Sequence, residues 1–306
     1  CVINMCKHLA TTHRCSLTIV PVDLEGRVSV EDVVSSLRPE TCLITIMHAN
    51  NEVGTVQPIE DIARALKENV PPGLGPLFHT DASQSVGKIP VDVNVLGVDL
   101  LTIAGHKLYA PKGIGVLFMR SDVPAKIGRR FPNFMHGGGQ ESGRRPGTEN
   151  VALIAGLGAG AELVSGPSAS TDHAKYEKLT RSMLHQLRTR CTGTVRMNGP
   201  ANPDPVVILA TGGRQVWARL PNTLSVSFAG LHSAEMLKSM SGRLACSAAA
   251  ACHTGHVADS VSQVLLAMGL DIMYARGTLR LSVGKYTTES EVITAARIIS
   301  ETANAL

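Results

Sequence analysis

Short apolar runs along the chain alternate with stretches in which apolar residues recur every three or four positions. The segments "CLITIMHA" (42–49), "PLFHTDA" (76–82), "DLLTIAG" (99–105) and "GVLFM" (115–119) read as buried strands. Between the first two, Ile59, Ile62, Ala63 and Leu66 mark one face of an amphipathic helix. In "SVEDVVSSLRPE", Ser29 is placed to cap a helix and Asp32 follows three residues on, as in a capping box, while Val30, Val33, Val34 and Leu37 form its face. Strands alternating with helices predict an α/β architecture with a mostly parallel sheet. Beyond the glycine-rich "HGGGQESGRRPGTEN" come a small-residue helix, "VALIAGLGAGAELV", and the polar stretch "SGPSASTDHAKYEK". This shift predicts a boundary near residue 167, between a large domain (1–167) and a smaller α+β C-terminal domain (168–306). The second domain carries the strand "RLPNTLSVSF", the Ala/Ser/Cys-rich "LACSAAAACHTGH", and "GTLRLSVGKYTTESEVITAARII", a strand leading into a closing helix.

In parallel sheets ligands lie at the carboxyl ends of strands, and the polar residues gather there. "HANNEVG" follows the first strand, "HTDASQSVG" the second and "GHK" the third, offering Asn50, Asn51, Asp81, Gln84, His106 and Lys107 to one crevice. Each taken singly also suits a turn or a helix cap; the six together point to a site. A lysine amine is a nucleophile toward an aldehyde when it is held in a partly desolvated pocket. An aspartate on a neighbouring strand end can keep a pyridine nitrogen protonated, the tuning that pyridoxal phosphate requires of a protein. Lys107 and Asp81 have those roles available, and Gln84, a turn beyond Asp81, can hydrogen-bond a phenolic ring oxygen. The three successive glycines of "HGGGQESGRRPGT" offer backbone N–H groups and nearby arginines to a phosphate. Neither a GxxxxGK[ST] loop nor a strand–GxGxxG–helix unit is present.

At 306 residues and 44% hydrophobic, the chain can bury a large core, and about 150 residues per domain gives two domains. A net charge of +4 without Lys/Arg blocks and only 3% aromatics argue against a nucleic-acid binder. No run of about 18 uncharged apolar residues is present to cross a membrane. Seven cysteines (Cys1, Cys6, Cys15, Cys42, Cys191, Cys246 and Cys252) without a CxxC pair argue for a reducing, cytoplasmic setting rather than a disulfide framework. Cys252 lies in a small-residue loop beside His253 and His256. Those neighbours favour an exposed thiolate over a buried, inert thiol. The same three residues also permit a metal, a reading that lacks a fourth ligand at a recognisable spacing.

The motifs "HTDASQSVGKIPVDV", "DLLTIAGHKLYAPKGIGVLF", "HGGGQESGRRPGTENV" and "LRLSVGKYTT", in this order, resemble the cysteine desulfurase and selenocysteine lyase family. That resemblance covers essentially the whole chain. It implies a pyridoxal 5'-phosphate enzyme of fold type I (class V aminotransferase), working as a homodimer on an amino-acid substrate. Carried over residue by residue, Lys107 matches the lysine that binds the cofactor covalently, and Asp81 and Gln84 match the partners of the pyridine nitrogen and phenolic oxygen. Asn51 matches the asparagine beside ring and substrate, His106 a phosphate-side histidine, and Thr148 of "RPGT" the threonine that reaches the neighbouring subunit's phosphate. Arg280 matches the arginine that grips the substrate carboxylate, and Cys252 the catalytic cysteine.

"RLPNT", "RPGTEN", "AACH" with a second nearby histidine, and Ala104 in place of a phosphate-binding serine resemble selenocysteine lyase more than cysteine desulfurase. The expected reaction is L-selenocysteine to L-alanine plus selenide, with cysteine desulfuration and delivery of sulfur to an acceptor protein as the alternative. Another fold-type-I enzyme, such as an aminotransferase, would need Lys107, Asp81 and Arg280 but not Cys252. The family's N-terminal segment, with its phosphate loop and ring-stacking histidine, has no counterpart before Cys1, so the chain reads as N-terminally truncated. That leaves a catalytically inactive isoform or dimerisation partner as a further reading.

Overall fold

The computed structural model describes residues 2–13, 15–71, 75–128, 131–133, 135–166, 169–202, 217–248 and 261–306, and for 169–171 the backbone alone. Four strands, β1 (Leu43–Met47), β2 (Leu77–Asp81), β3 (Leu100–Ala104) and β4 (Gly115–Met119), form one sheet in that order. β1, β2 and β3 run parallel, and β4 closes the edge antiparallel to β3. The four apolar runs of the sequence are these four strands. Alternation along β2 sends Phe78 to one face, where it packs with Leu101 of β3, with Ile59, Ile62 and Ala63 of the helix Ile59–Asn69, and with Leu96 of the short helix Val93–Leu96. His79 and Asp81 therefore point to the opposite face.

Local signals account for the helix ends. The Ser29 hydroxyl accepts the Asp32 N–H at 3.1 Å to start the helix Val30–Ser35, as its position predicts. The reciprocal half of the expected box is not made with Asp32; the Ser29 hydroxyl instead donates to the Glu31 carboxylate at 2.9 Å, since Glu31 is the acid the hydroxyl can reach. A complete capping box occurs at Thr288 and Glu291, opening the closing helix Glu289–Ala305.

A second, antiparallel sheet has the order β5 (Val195–Met197), β6 (Thr223–Phe228), β8 (Thr278–Ser282), β7 (Ser247–Ala248). Leu224, Val226, Phe228, Leu279 and Leu281 bury one face of it against Leu179, Met183 and Leu187 of the helix Ala169–Arg190 and against Val292, Ala296 and Ile299 of the closing helix. The alternate residues of β6 are polar yet buried, and their hydroxyls are satisfied across the sheet. Asn198 Nδ2 donates to Ser225 and Ser227 at 3.1 and 2.8 Å, and Ser227 and Thr278 share a bond of 2.7 Å. Arg280 pairs with Ser225 in the ladder and so stands on this polar face, away from the helices. The expected domain boundary near residue 167 falls at 167–168, outside the described residues.

Candidate active site

Three turns meet at the carboxyl ends of β1, β2 and β3. The first, after β1, is shaped by Asn50, whose side-chain oxygen accepts the N–H groups of Glu52 and Val53 at 2.8 and 3.0 Å. Asn50 is thus the turn former, and its neighbour Asn51 is left half-buried with its carbonyl turned to a group from the second sheet. That group is the Arg280 guanidinium, which donates to the Asn51 carbonyl at 2.8 Å across 229 residues of sequence. Arg280 and Asn51, far apart in the chain, share one place.

At the second turn, Asp81 is half-buried and its Oδ1 accepts the Ser83 N–H at 2.9 Å. Asp81 lies level with Thr102 of β3, and Gln84 follows in the same turn, half-buried. His79, two residues before Asp81 and on the same face, bridges three strands: its ring nitrogens bond the Thr45 hydroxyl at 2.7 Å and the Thr102 hydroxyl at 2.9 Å. Burial lowers the His79 pKa, and the nearby Asp81 charge offsets part of that shift. Sequence reasoning missed this polar rail; the alternation of His79 and Asp81 against Phe78 and Thr80 was its available signal.

The third turn holds the lysine. β3 runs into a single 3-10 turn, Gly105–Lys107, in which the Leu108 N–H donates to the Gly105 carbonyl at 2.9 Å. Position 105 requires glycine, because a Cβ there would lie 2.9 Å from the Ile114 carbonyl oxygen and 3.2 Å from Leu157. Lys107 is half-buried and His106 is exposed. Two residues on, Tyr109 adopts a left-handed φ of 69°, uncommon for a bulky residue. Its hydroxyl accepts the Lys285 N–H at 2.8 Å, so this turn also touches the strand-to-helix loop after β8.

Thr148 is exposed, in the turn before the helix Val151–Ser165, and no described contact joins it to the strand-end group. The glycine-rich stretch before it bends through a left-handed turn at Glu141, Ser142 and Gly143, with φ of 49°, 58° and 75°. Cys252, with His253 and His256, lies outside the described residues.

The family model for class-V aminotransferases matches residues 1–294. The chain belongs to the class-V aminotransferase family. A selenocysteine lyase of Rattus norvegicus is 38% identical over 309 residues, covering 98% of this chain and 67% of that protein. A cysteine desulfurase of Nostoc sp. is 37% identical over 301 residues, covering 98% of this chain and 68% of its own. Among solved structures, a NifS-like protein superimposes with a TM-score of 0.82 at 33% identity, over 100% of this chain and 72% of that one. The architecture is accordingly fold type I.

Class-V aminotransferase relatives of this kind are enzymes that carry pyridoxal phosphate, and the strand-end residues fit that group. A half-buried amine, a carboxylate spending Oδ1 on a local N–H, and an amide in the same turn are the donor set a protonated pyridine and its aldehyde need. Where the cofactor is held, Lys107 would take its aldehyde, Asp81 its ring nitrogen and Gln84 its phenolic oxygen.

Proposed function

We propose that the chain is a pyridoxal-phosphate-dependent lyase that breaks the bond from Cβ to selenium in L-selenocysteine and releases L-alanine. The observation that carries this reading is the placement of Lys107 and Asp81 on neighbouring strand ends, with Arg280 brought from the second sheet onto the Asn51 carbonyl. The cofactor, when bound, supplies an aldehyde for the substrate amine and a ring that accepts the electron pair released at Cα. Lys107 holds the cofactor and, once its amine is freed, moves the Cα proton. Arg280 spends one N–H on Asn51 and keeps its remaining donors for a substrate carboxylate, which a planar guanidinium binds in two parallel bonds. Asn51 stands beside the cofactor ring and the substrate. His106 and, from the partner subunit of a homodimer, Thr148 serve the phosphate. As the bond from Cβ to selenium breaks, the selenium bonds to the Cys252 sulfur, the thiol's proton goes to the carbon side, and a thiol of an acceptor protein then takes the selenium onward.

Two features support selenium over sulfur. Position 104, half-buried at the end of β3, is alanine and brings no hydroxyl to the phosphate side, and a selenocysteine lyase is among the most similar relatives. Cysteine desulfuration is the second reading, favoured by the Nostoc relative at nearly the same identity. One experiment separates them: the purified chain is mixed with pyridoxal phosphate, its visible absorbance recorded, and alanine measured from selenocysteine and from cysteine. The expected outcome is colour in the unmutated chain and none in Lys107→Ala, with alanine formed from selenocysteine well ahead of cysteine. Alanine from cysteine at the same rate would move the assignment to a desulfurase, and no colour and no alanine would reject both.

A further inference from the structure

The turn Ala82–Lys88, which carries Gln84, ends in a lysine with almost no access to water. Lys88 is 8% exposed, and its ammonium has no carboxylate partner among the described residues. Three groups receive it instead. It donates to the Lys107 carbonyl, and to the Val86 carbonyl at 3.2 Å, and it sits 5.9 Å from the centroid of the Tyr109 ring. A buried ammonium facing only neutral acceptors is costly to desolvate, and burial together with the Lys107 charge brings its pKa down to about 8. Ordinary carbonyls at a turn are satisfied by water or by a neutral donor at much lower cost.

The position gives the reason. Lys88 reaches from the Asp81–Gln84 side to both flanks of the lysine turn: the main chain of Lys107 and the side chain of Tyr109. Those flanks are also where the backbone is strained, with Tyr109 at a φ of 69°. We propose that Lys88 is a positioning residue that fixes the separation between Lys107 and the Asp81–Gln84 pair, holding the Lys107 main chain through its carbonyl. The inference rests on the cofactor reading above. Lys88 touches no reacting atom; it sets where the amine of Lys107 starts.

The test compares the 306-residue chain with Lys88→Met, Lys88→Arg and, as a control on an exposed lysine of the loop between the lysine turn and β4, Lys112→Met. Coupling of pyridoxal phosphate is followed by visible absorbance, alongside kcat and KM for alanine formation, with circular dichroism and thermal unfolding to establish folding. Displacements of about 1 Å cost on the order of 100-fold where geometry decides rate. Lys88→Met is therefore expected to lower the coupling rate and kcat about 10-fold or more, with KM within about twofold, and Lys88→Arg to restore most of the loss. Lys112→Met is expected to behave as the unmutated chain. A folded Lys88→Met that couples and turns over normally overturns the role of Lys88 and leaves the cofactor reading standing. An unmutated chain that never develops colour removes both. Should Lys88→Met fail to fold, nitrogen NMR of lysine amines in the unmutated chain decides. A slowly exchanging Lys88 signal that shifts when the cofactor couples supports the role, and one that does not shift overturns it.

Discussion

His48 shows how a single ring next to the site ties stability to pH. It is 4% exposed and its Nδ1 shares a hydrogen bond of 2.8 Å with the Ser85 hydroxyl. Burial pushes its pKa down to about 4. The unfolded chain binds a proton there below about pH 6.5 while the folded chain stays neutral down to about 4, so stability is full above 6.5 and falls as the pH drops through that window. Between pH 7 and pH 5 the loss from this group is about 2 kcal/mol. In urea unfolding, His48→Asn should lose about that much less stability than the unmutated chain over the same interval, and equal losses would show that His48 is not the group responsible. At this scale the placement of Lys107, Asp81 and Gln84 at strand ends was readable, because a parallel sheet delivers polar side chains there. It was not readable for Lys88, since "SVGKIP" looks like a solvated turn until the fold brings that lysine against the Lys107 carbonyl and the Tyr109 ring. The three-strand bridge of His79 was hidden for the same reason, since it depends on register.

At the scale of elements, the helix Val151–Ser165 is where propensity and packing compete. Gly158 has nothing within 4 Å of an added Cβ, whereas a Cβ on Gly160 would lie 2.8 Å from the Leu108 carbonyl oxygen and 3.1 Å from the Ala110 nitrogen. Alanine gains about 1 kcal/mol over glycine inside a helix, and overpacking against backbone costs about 1–3 kcal/mol. Gly158→Ala should therefore raise the unfolding temperature, and Gly160→Ala should lower it while disturbing the lysine turn it abuts; the same sign at both positions would refute the distinction. The four strands of the first sheet, β6, β8 and this helix were legible from apolar runs and small residues, whereas the short β5 and β7 were not. The helix's exposure was not: only Gly160 of its fifteen residues is buried, because apolar composition does not say which neighbour covers a surface.

At the scale of the molecule, Arg219 is a tie between the two sheets. It is 6% exposed and donates to the carbonyls of Thr223, Pro200 and Val53 at 2.7, 3.2 and 3.3 Å. Its planar fork serves three acceptors that a lysine's single amine would share poorly, so Arg219→Lys should destabilise by about 1–3 kcal/mol in chemical unfolding; a neutral result would mean the fork is dispensable. Val151, Leu117 and Ile154 are left 72%, 56% and 43% exposed. Such surface favours association, and sedimentation velocity is expected to show a dimer that grows with concentration; a single monomeric species at all concentrations would contradict this.

The bond between Arg280 and the Asn51 carbonyl carries a last consequence. A guanidinium moored to the first sheet cannot swing to meet a carboxylate presented from elsewhere. Were the amine held at the cofactor's aldehyde, two corners of any amino acid would be pinned, and handedness would decide which hydrogen faces the amine of Lys107. Mirror-image substrate should be turned over far more slowly than the L form, and freeing the arginine by altering the Asn51 turn should narrow that chiral preference before it abolishes turnover.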